Sequence, residues 1–548
     1  MSIKGDSSLP DYTQRMTGDT PAVQLQVLAA SDGKPTTAPF TASSEDPPSA
    51  DHSSSEALGH KVVLSTGRTV IVVTQLVGVQ LFTSFCNGIV VIGLPAISTA
   101  LHIEAGLLLW PTSVFYLTAG SCLMLAGSIA DVIGNRITIL AANVLLVATA
   151  IGCGLSKTGG ALIAFRALQG VVNAMVVPAS VSIVSTSVEF GRPRNLSFAC
   201  LGFSGPLGFL LGLVLGGVMI DLVGFPPAFY LAAGVSFVLG VCGLWVLPAD
   251  SQTKVSWNTL GKRLVYDLDW VGTLIASAGL AIVSYVLAML SADIHNIRKA
   301  PQIVLLVIGL LLAPAFAYWM HFRVKHNRPA LIPNHLWRNT TFTSICIMIL
   351  FISAVSNSME LYSSLFFQQV QGTSALGASL RILPALVTAV LINVSTGFFV
   401  DRMPVVLVVL VAATLSAISP LLMAVVDPDW PYWYMAFIAQ VLQPICPDVL
   451  FTVGVLITSA VFPAKTQALG GAVFNTCSQL GTSIGLTITA VISDSMTAKS
   501  GYTDNSSPAA LLEGYRATFW ALFAWTVVVV LVGAGGLRKL GKLGKKQE

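Results

Sequence analysis

Charged residues stand inside several long apolar runs, where a charge is costly. Arg166 lies in LIAFRALQGVVNAMVVP, Glu360 in SNSMELYSS and Asp448 in QPICPDVLF. A charge within hydrocarbon costs at least about 2.5 kcal/mol unless it meets a cavity or a partner. A carboxyl group held away from water is able to take up and release a proton. Asp448 and Glu360 are therefore candidates for proton handling; each has pairing with Arg381, or capping of a broken helix, as its structural alternative. Arg166 is read either as a functional cation or as a structural pairing partner. Uncharged polar side chains inside other runs, Asn87, Asn173, Asn357, Asn475 and Gln479, are candidates to line a cavity and hydrogen-bond an organic solute, with Asn143 and Gln440 as further ones. Their plainer use is hydrogen bonding between helices.

The elements that must position these groups are spans. The chain has 548 residues, of which 54% are hydrophobic and 10% charged, with a mean hydropathy of +0.78. Soluble domains carry about 25% charged residues, so this is an all-α polytopic membrane protein, each crossing segment satisfying its own backbone as a helix. Fourteen apolar runs are read, at 70–94, 107–129, 137–155, 160–184, 196–220, 227–248, 270–290, 302–322, 342–366, 375–400, 405–426, 433–460, 466–493 and 513–537. They divide as six, two and six. Residues 1–69 form a Ser/Thr/Pro-rich tail too polar to fold alone. Residues 70–248 make a first six-helix bundle, 249–341 a linker with two extra spans, 342–537 a second six-helix bundle and 538–548 a basic tail. The eight cysteines fall in or at the ends of apolar runs with no C-x-x-C, and read as packing residues. No metal cluster, cofactor fingerprint, phosphate loop or nucleophile motif is present, so catalysis and ATP-driven pumping are not expected. Nothing suggests nucleic acid as a partner; the lipid bilayer is one.

Charge placement orients the chain. With the N-terminus cytoplasmic, Arg136, Arg192, Arg194, Lys254, Lys262, Arg263, Arg323, Lys325, Arg328, Arg338, Arg402 and Lys465 fall on the cytoplasmic side, with five more basic residues in the C-terminal tail. The opposite face holds Lys157, Arg298, Lys299, Lys499 and Arg516. This follows the positive-inside rule and places both termini in the cytoplasm. The outer loop 494–512 then carries a glycosylation acceptor at Asn505-Ser-Ser. Asn339-Thr-Thr and Asn393-Val-Ser read as chance matches.

Between the second and third runs, GSIADVIGNRITIL (127–140) makes a tight polar turn. Asp131 and Arg136 offer an ion pair able to lock or release neighbouring helices; an ordinary loop with one positive charge is the bland alternative. GFFVDRM (397–403), with Asp401 and Arg402, repeats the feature in the second bundle, as a parallel duplication would. Gly208, Gly212 and Gly216 recur at four-residue spacing with Gly217 beside them. Such a stripe permits close helix contact or a bend, and Pro206 stands about two turns before Leu213.

The order of these motifs resembles the major facilitator superfamily. Gly127, Asp131, Gly134 and Arg136 match its loop pattern G-x-x-x-D-x-x-G-R-[RK], with Asn135 where the first basic residue usually stands. Arg166, Gln169 and Gly170 match a fourth-span pattern R-x-x-q-G, whose arginine is tied to proton coupling in the antiporter branch. The four glycines match the antiporter signature G-x-x-x-G-P-x-x-G-G, with Leu213 in place of its proline. In the first span, aligned on Leu94-Pro95, the acid of the fourteen-span drug:proton antiporters falls on Cys86. DLDWVG (267–272) and ALGGAVFNTCSQLGTSIGLTI are similar to that branch and to its fungal aminotriazole-resistance subgroup.

The resemblance implies a major facilitator fold with 14 transmembrane helices as 6+2+6, working by alternating access. It implies proton-coupled export of a drug, toxin or secondary metabolite, across the plasma membrane or, alternatively, the vacuolar membrane. Asp131, Arg136, Asp401 and Arg402 would latch the cytoplasmic side, and Arg166, Asp448 and Glu360 would couple protons. The rival readings are a facilitator or importer of a small solute such as borate or ammonium, and a non-transporting membrane sensor.

Overall fold

The computed structural model describes residues 64–104, 107–189, 192–248, 269–292, 299–326, 328, 334–399, 404–461 and 464–538. The tail to residue 63, the stretch 249–268, Asp401, Arg402 and the basic tail from 539 lie outside the described residues, as does the side chain of Asp131. Among the described residues every regular element is a helix. The first six are α1 (Thr66–Leu101), α2 (Trp110–Ile133), α3 (Asn135–Leu155), α4 (Gly159–Ser187), α5 (Arg192–Val223) and α6 (Pro226–Val246). A hairpin follows, α7 (Trp270–Ala292) and α8 (Ala300–Lys325). Then come α9 (Thr340–Leu365), α10 (Ala375–Phe399), α11 (Val405–Val425), α12 (Ala436–Leu442), α13 (Ile445–Val461), α14 (Ala464–Lys499) and α15 (Pro508–Gly536).

Among the described residues, 12 helical segments are long and apolar enough to cross a membrane, with α12 and α13 taken as one crossing. Two of the fourteen expected runs fall outside that dozen. The described apolar stretch of α7 is short, Trp270–Val283. The other, α14, carries Asn, Gln, Ser and Thr along its length. Leu222, Trp245, Val144, Leu274 and Tyr318 are exposed on the helix surfaces, as a lipid-facing surface requires. α1 begins four residues before the first apolar run: Leu64 is buried and its N–H donates to the Ser187 carbonyl at 3.1 Å.

The glycine stripe of α5 is a packing surface. A methyl group at Gly208 would collide with the Leu81 backbone, and one at Gly212 with the Phe85 carbonyl, while Gly216 faces Ile89. Gly88 on α1 meets the backbone of Phe209 and Leu213 in return. Gly217 faces the other way, onto Ala375, Leu376 and Ser379 of α10. The later helices repeat the device, with Gly481 and Gly485 of α14 against Leu350 and Ala354 of α9. α5 stays a single helix through Pro206. Gly212→Ala is expected to lower the melting temperature in detergent, because an overpacked contact costs about 1–3 kcal/mol. Gly202→Ala, on the same helix with nothing within 4 Å of its added methyl, should leave it unchanged or raise it. A Gly212→Ala protein as stable as the Gly202→Ala one would contradict this packing.

Asp269 fixes the α7–α8 hairpin. Its Oδ1 accepts from Gly272 N and Trp319 Nε1, each at 2.9 Å, and its Oδ2 lies 3.7 Å from Arg323 Nε. Ser277 of α7 donates to the Ser121 carbonyl of α2 at 3.1 Å, seating the hairpin beside the first six helices.

Candidate functional site

A cavity of about 250 Å³ lies between the first six helices and α9–α14. Gln80, Ser84 and Asn87 of α1, Phe115 and Tyr116 of α2, Asn173 of α4 and Gly205, Pro206 and Phe209 of α5 form one wall. The other wall holds Ser356, Asn357 and Glu360 of α9, Ala385, Leu386 and Ala389 of α10, Gln443 and Pro444 at the α12–α13 break, Pro447 and Asp448 of α13, and Gln479 of α14. Glu360 and Asp448, which the sequence separates by 88 positions, thus line one cavity without a Lys, Arg or His among its lining residues.

Local sequence explains how Asp448 gets there. Pro444 and Pro447 cannot continue the ladder of backbone hydrogen bonds, and α12 stops at Leu442. Ser416 of α11 bridges the gap: its hydroxyl donates to Leu442 O at 2.9 Å and accepts from Cys446 N at 2.8 Å. Asp448 falls in the first turn of α13, an end that favours negative charge. Its Oδ2 is buried with no hydrogen-bond partner among the described residues. Gln443 ties the break to α9, donating to Ser356 Oγ at 2.8 Å, and its Oε1 is likewise unpartnered.

Arg166 sits behind the cavity, with 0% of its surface exposed. Its Nε donates to Pro111 O at 3.0 Å, Nη1 to Gln169 Oε1 at 2.6 Å and Nη2 to Asn87 Oδ1. The guanidinium carbon stands 4.7 Å from the Phe115 ring centre. Three oxygen acceptors and one ring hold this cation, and none of these partners is a carboxylate. Asn87 lines the cavity, so the buried charge is one side chain away from it. Cys86, where the resembling family has its acid, is fully buried.

The other expected residues divide. Asn87, Asn173, Asn357, Gln479, Pro206, Glu360 and Asp448 line the cavity, whereas Asn475 does not. Asn143 and Gln440 hold helices together: Asn143 donates to Ser236 O at 2.8 Å and Gln440 to Ser363 Oγ at 3.0 Å. Asn357 does both, donating to Ser353 O at 3.0 Å and Thr482 Oγ1 at 3.1 Å. Arg381 pairs with neither acid: it donates to Gln371 Oε1 and faces the Phe367 and Tyr432 rings. Gln80, Ser84, Tyr116, Phe209, Ser356 and Gln443 also line the cavity, unanticipated. Gln80, Ser84 and Asn87 are spaced i, i+4, i+7, one face of a helix, and that polar stripe was the available signal.

Two ends flank the cavity. Where α1 ends, the helix sets are joined directly. Gln368 Nε2 donates to Ile92 O at 3.0 Å, Ser379 Oγ to Leu213 O at 2.9 Å, and Ala375 N and Leu376 N donate to the Asp221 carboxylate at 3.2 and 3.0 Å. Near the start of α3, Gly134 turns the chain between α2 and α3 with φ 110°, a conformation glycine adopts without strain. Asn135 Nδ2 donates to Ser182 Oγ at 2.8 Å and Arg136 Nη2 to Leu244 O of α6. Gly127 leaves room for Pro178 of α4.

Residues 76–404 and 376–542 match the sequence model described as Major Facilitator Superfamily. An "MFS-type transporter 1" of Pyricularia oryzae is 37% identical over 92% of this chain and 89% of that one. A "Low affinity ammonium transporter" of Saccharomyces cerevisiae is 25% identical over 76% and 78%. "Efflux pump terJ" of Aspergillus terreus is 23% identical over 78% of each. A solved bacterial homologue of the human lysosomal transporter Spinster superposes with a TM-score of 0.58 at 16% identity, covering 87% of this chain and 98% of that one.

Proposed function

This chain belongs to the Major Facilitator Superfamily, and from that premise we propose that it exports a small organic compound in exchange for protons. It is a multi-pass membrane transporter with efflux-pump relatives. The observation that carries the export reading is the cavity between the two helix sets, with Glu360 and Asp448 facing the same space. A solute drives alternating access only through its different affinities for the two states. Two carboxyl groups in the binding space give protons a way to change that affinity. Arg166 is the positioning residue that holds Asn87 against the cavity.

The fourteen-span arrangement, in the drug:proton antiporter branch, is part of this proposal. α7 and α14 complete it: α14 is less apolar because Gln479 faces the cavity and Ser478 and Thr482 bond to α9. Asp131, Arg136, Asp401 and Arg402 act as the cytoplasmic latch, and the bonds of Gln368, Ser379 and Asp221 close the opposite side. Both termini are cytoplasmic and the membrane is the plasma membrane. Asn505 lies exposed in the turn before α15, at the end where Tyr515 meets Gln369. Expressed in a eukaryotic host, the protein should lose mass on glycosidase treatment and Asn505→Gln should abolish that shift; a wild-type protein without the shift would contradict this orientation.

The function is tested in vesicles containing a pH-sensitive dye, with organic amines, neutral toxins, borate and ammonium added in turn. Proton movement triggered by an organic solute, and only when the protein is present, is the expected result. A second reading, facilitated passage of a small solute, is favoured by Cys86 standing in place of the first-span acid and by the ammonium-transporter relative. Borate or ammonium moving with no proton movement would establish it.

A further inference from the structure

Resting on the export reading, we infer that the solute is a compact organic cation bearing N–H groups, an ammonium on an aromatic or aliphatic body. Charge is the first reason. Two carboxyl groups and no Lys, Arg or His line the cavity. Arg166, the cation behind Asn87, already has its nitrogens on Pro111, Gln169 and Asn87 and its flat face on Phe115. An anionic solute would meet two acids and no available cation.

Hydrogen bonding is the second reason. Among the lining residues, the buried polar side-chain atoms without a partner are Asp448 Oδ2 and Gln443 Oε1. Both are acceptors. Buried acceptors left unpaired are costly, so the fitting occupant donates hydrogen bonds here. Shape is the third. Tyr116 and Phe209 stand on the wall opposite the acids, and aromatic faces attract ammonium groups and the bodies that carry them. About 250 Å³ is below the roughly 300–1,000 Å³ of sites for drug-sized ligands, which selects a compact solute.

The ionisable groups facing this space are Glu360, Asp448 and Tyr116; Arg166 and Cys86 lie behind Asn87. The cation and the proton therefore compete for the same carboxylates. An ammonium arriving at a carboxylic acid forms an ammonium–carboxylate pair, and the acid's proton leaves to solvent.

The test uses the full-length protein in lipid nanodiscs and three probes of one shape: phenethylammonium, 2-phenylethanol and phenylacetate. Calorimetry should give at least tenfold tighter binding of phenethylammonium than of the alcohol, no binding of phenylacetate, and proton release into weak buffer on binding. Glu360→Gln and Asp448→Asn should each weaken the cation at an unchanged melting temperature, which checks that the variants are folded. Equal or tighter binding of the alcohol or the carboxylate, or no binding of the cation, overturns the inference. The wild-type series decides this without any variant. Transport of phenethylguanidinium, which keeps N–H donors, stays charged and does not cross lipid unaided, separates the two readings. A cation that binds but never crosses would defeat export and leave the site's charge preference intact. Proton-linked movement of neutral solutes with no cation binding would do the reverse.

Discussion

Asp448→Asn should abolish proton-driven accumulation of solute while leaving the protein folded and able to exchange solute across the membrane. The amide keeps the size and hydrogen-bonding capacity of the carboxyl group and removes its proton. Asp448 stands at the first turn of α13 with Oδ2 buried and unpartnered, so no structural bond of that oxygen is lost. Coupling requires a group whose proton occupancy differs between the two states, and the substitution deletes it. Net uptake against a gradient should fall at least tenfold, the factor that about 1.4 kcal/mol of lost coupling gives. Exchange of labelled for unlabelled solute at equal pH should persist. Loss of both, at an unchanged melting temperature, would make Asp448 a solute-binding group alone. Retention of both would remove it from the mechanism.

Arg166→Ala should damage both fold and transport. The side chain is fully buried and engaged at every nitrogen. Its removal leaves Asn87 Oδ1, Gln169 Oε1 and Pro111 O without their donor and opens a cavity beside Phe115. Buried acceptors left unpaired and lost packing together cost on the order of 3 kcal/mol, visible as a lower melting temperature in detergent. Asn87, freed from its anchor, would no longer hold its place in the cavity wall. Arg166→Lys should rescue little, because a single ammonium cannot reproduce a planar fork shared among three acceptors. An Arg166→Ala protein that melts and transports like wild type would show the network to be incidental.

Much of this was legible in the residues. Apolar runs of about 20 residues mark spans because hydrocarbon admits little else, and charges inside such runs mark places that need a reason. That argument found Arg166, Glu360 and Asp448 without reference to their surroundings. It named Gln440 and missed Gln443. These lie three positions apart, yet Gln440 bonds to Ser363 within a packed interface while Gln443 reaches the cavity. The difference is the break at Pro444, which ends one helix and re-aims the chain. The same limit applies to Asn143 and Asn475: a polar residue in a span announces a hydrogen bond, not its partner. Nor does local sequence carry the meeting of Glu360 with Asp448, which follows from how α9 and α13 pack. The glycine stripe of α5 was ambiguous between bend and contact; the partner helix decides it, since Gly212 lies against the Phe85 carbonyl. α14 was read as one of the apolar runs, whereas its hydropathy leaves it out of the dozen.

The central claim is that solute and proton movements are obligatorily linked. It is tested most directly by finding the solute ratio that stops net flux in proteoliposomes of wild-type protein, with the membrane potential clamped and a fixed proton gradient imposed. Exchange against protons predicts a balance point displaced from equality, by about tenfold per pH unit for each proton exchanged, and moving as the gradient is changed. A balance point fixed at equal concentrations, whatever the proton gradient, would contradict it and leave a facilitator.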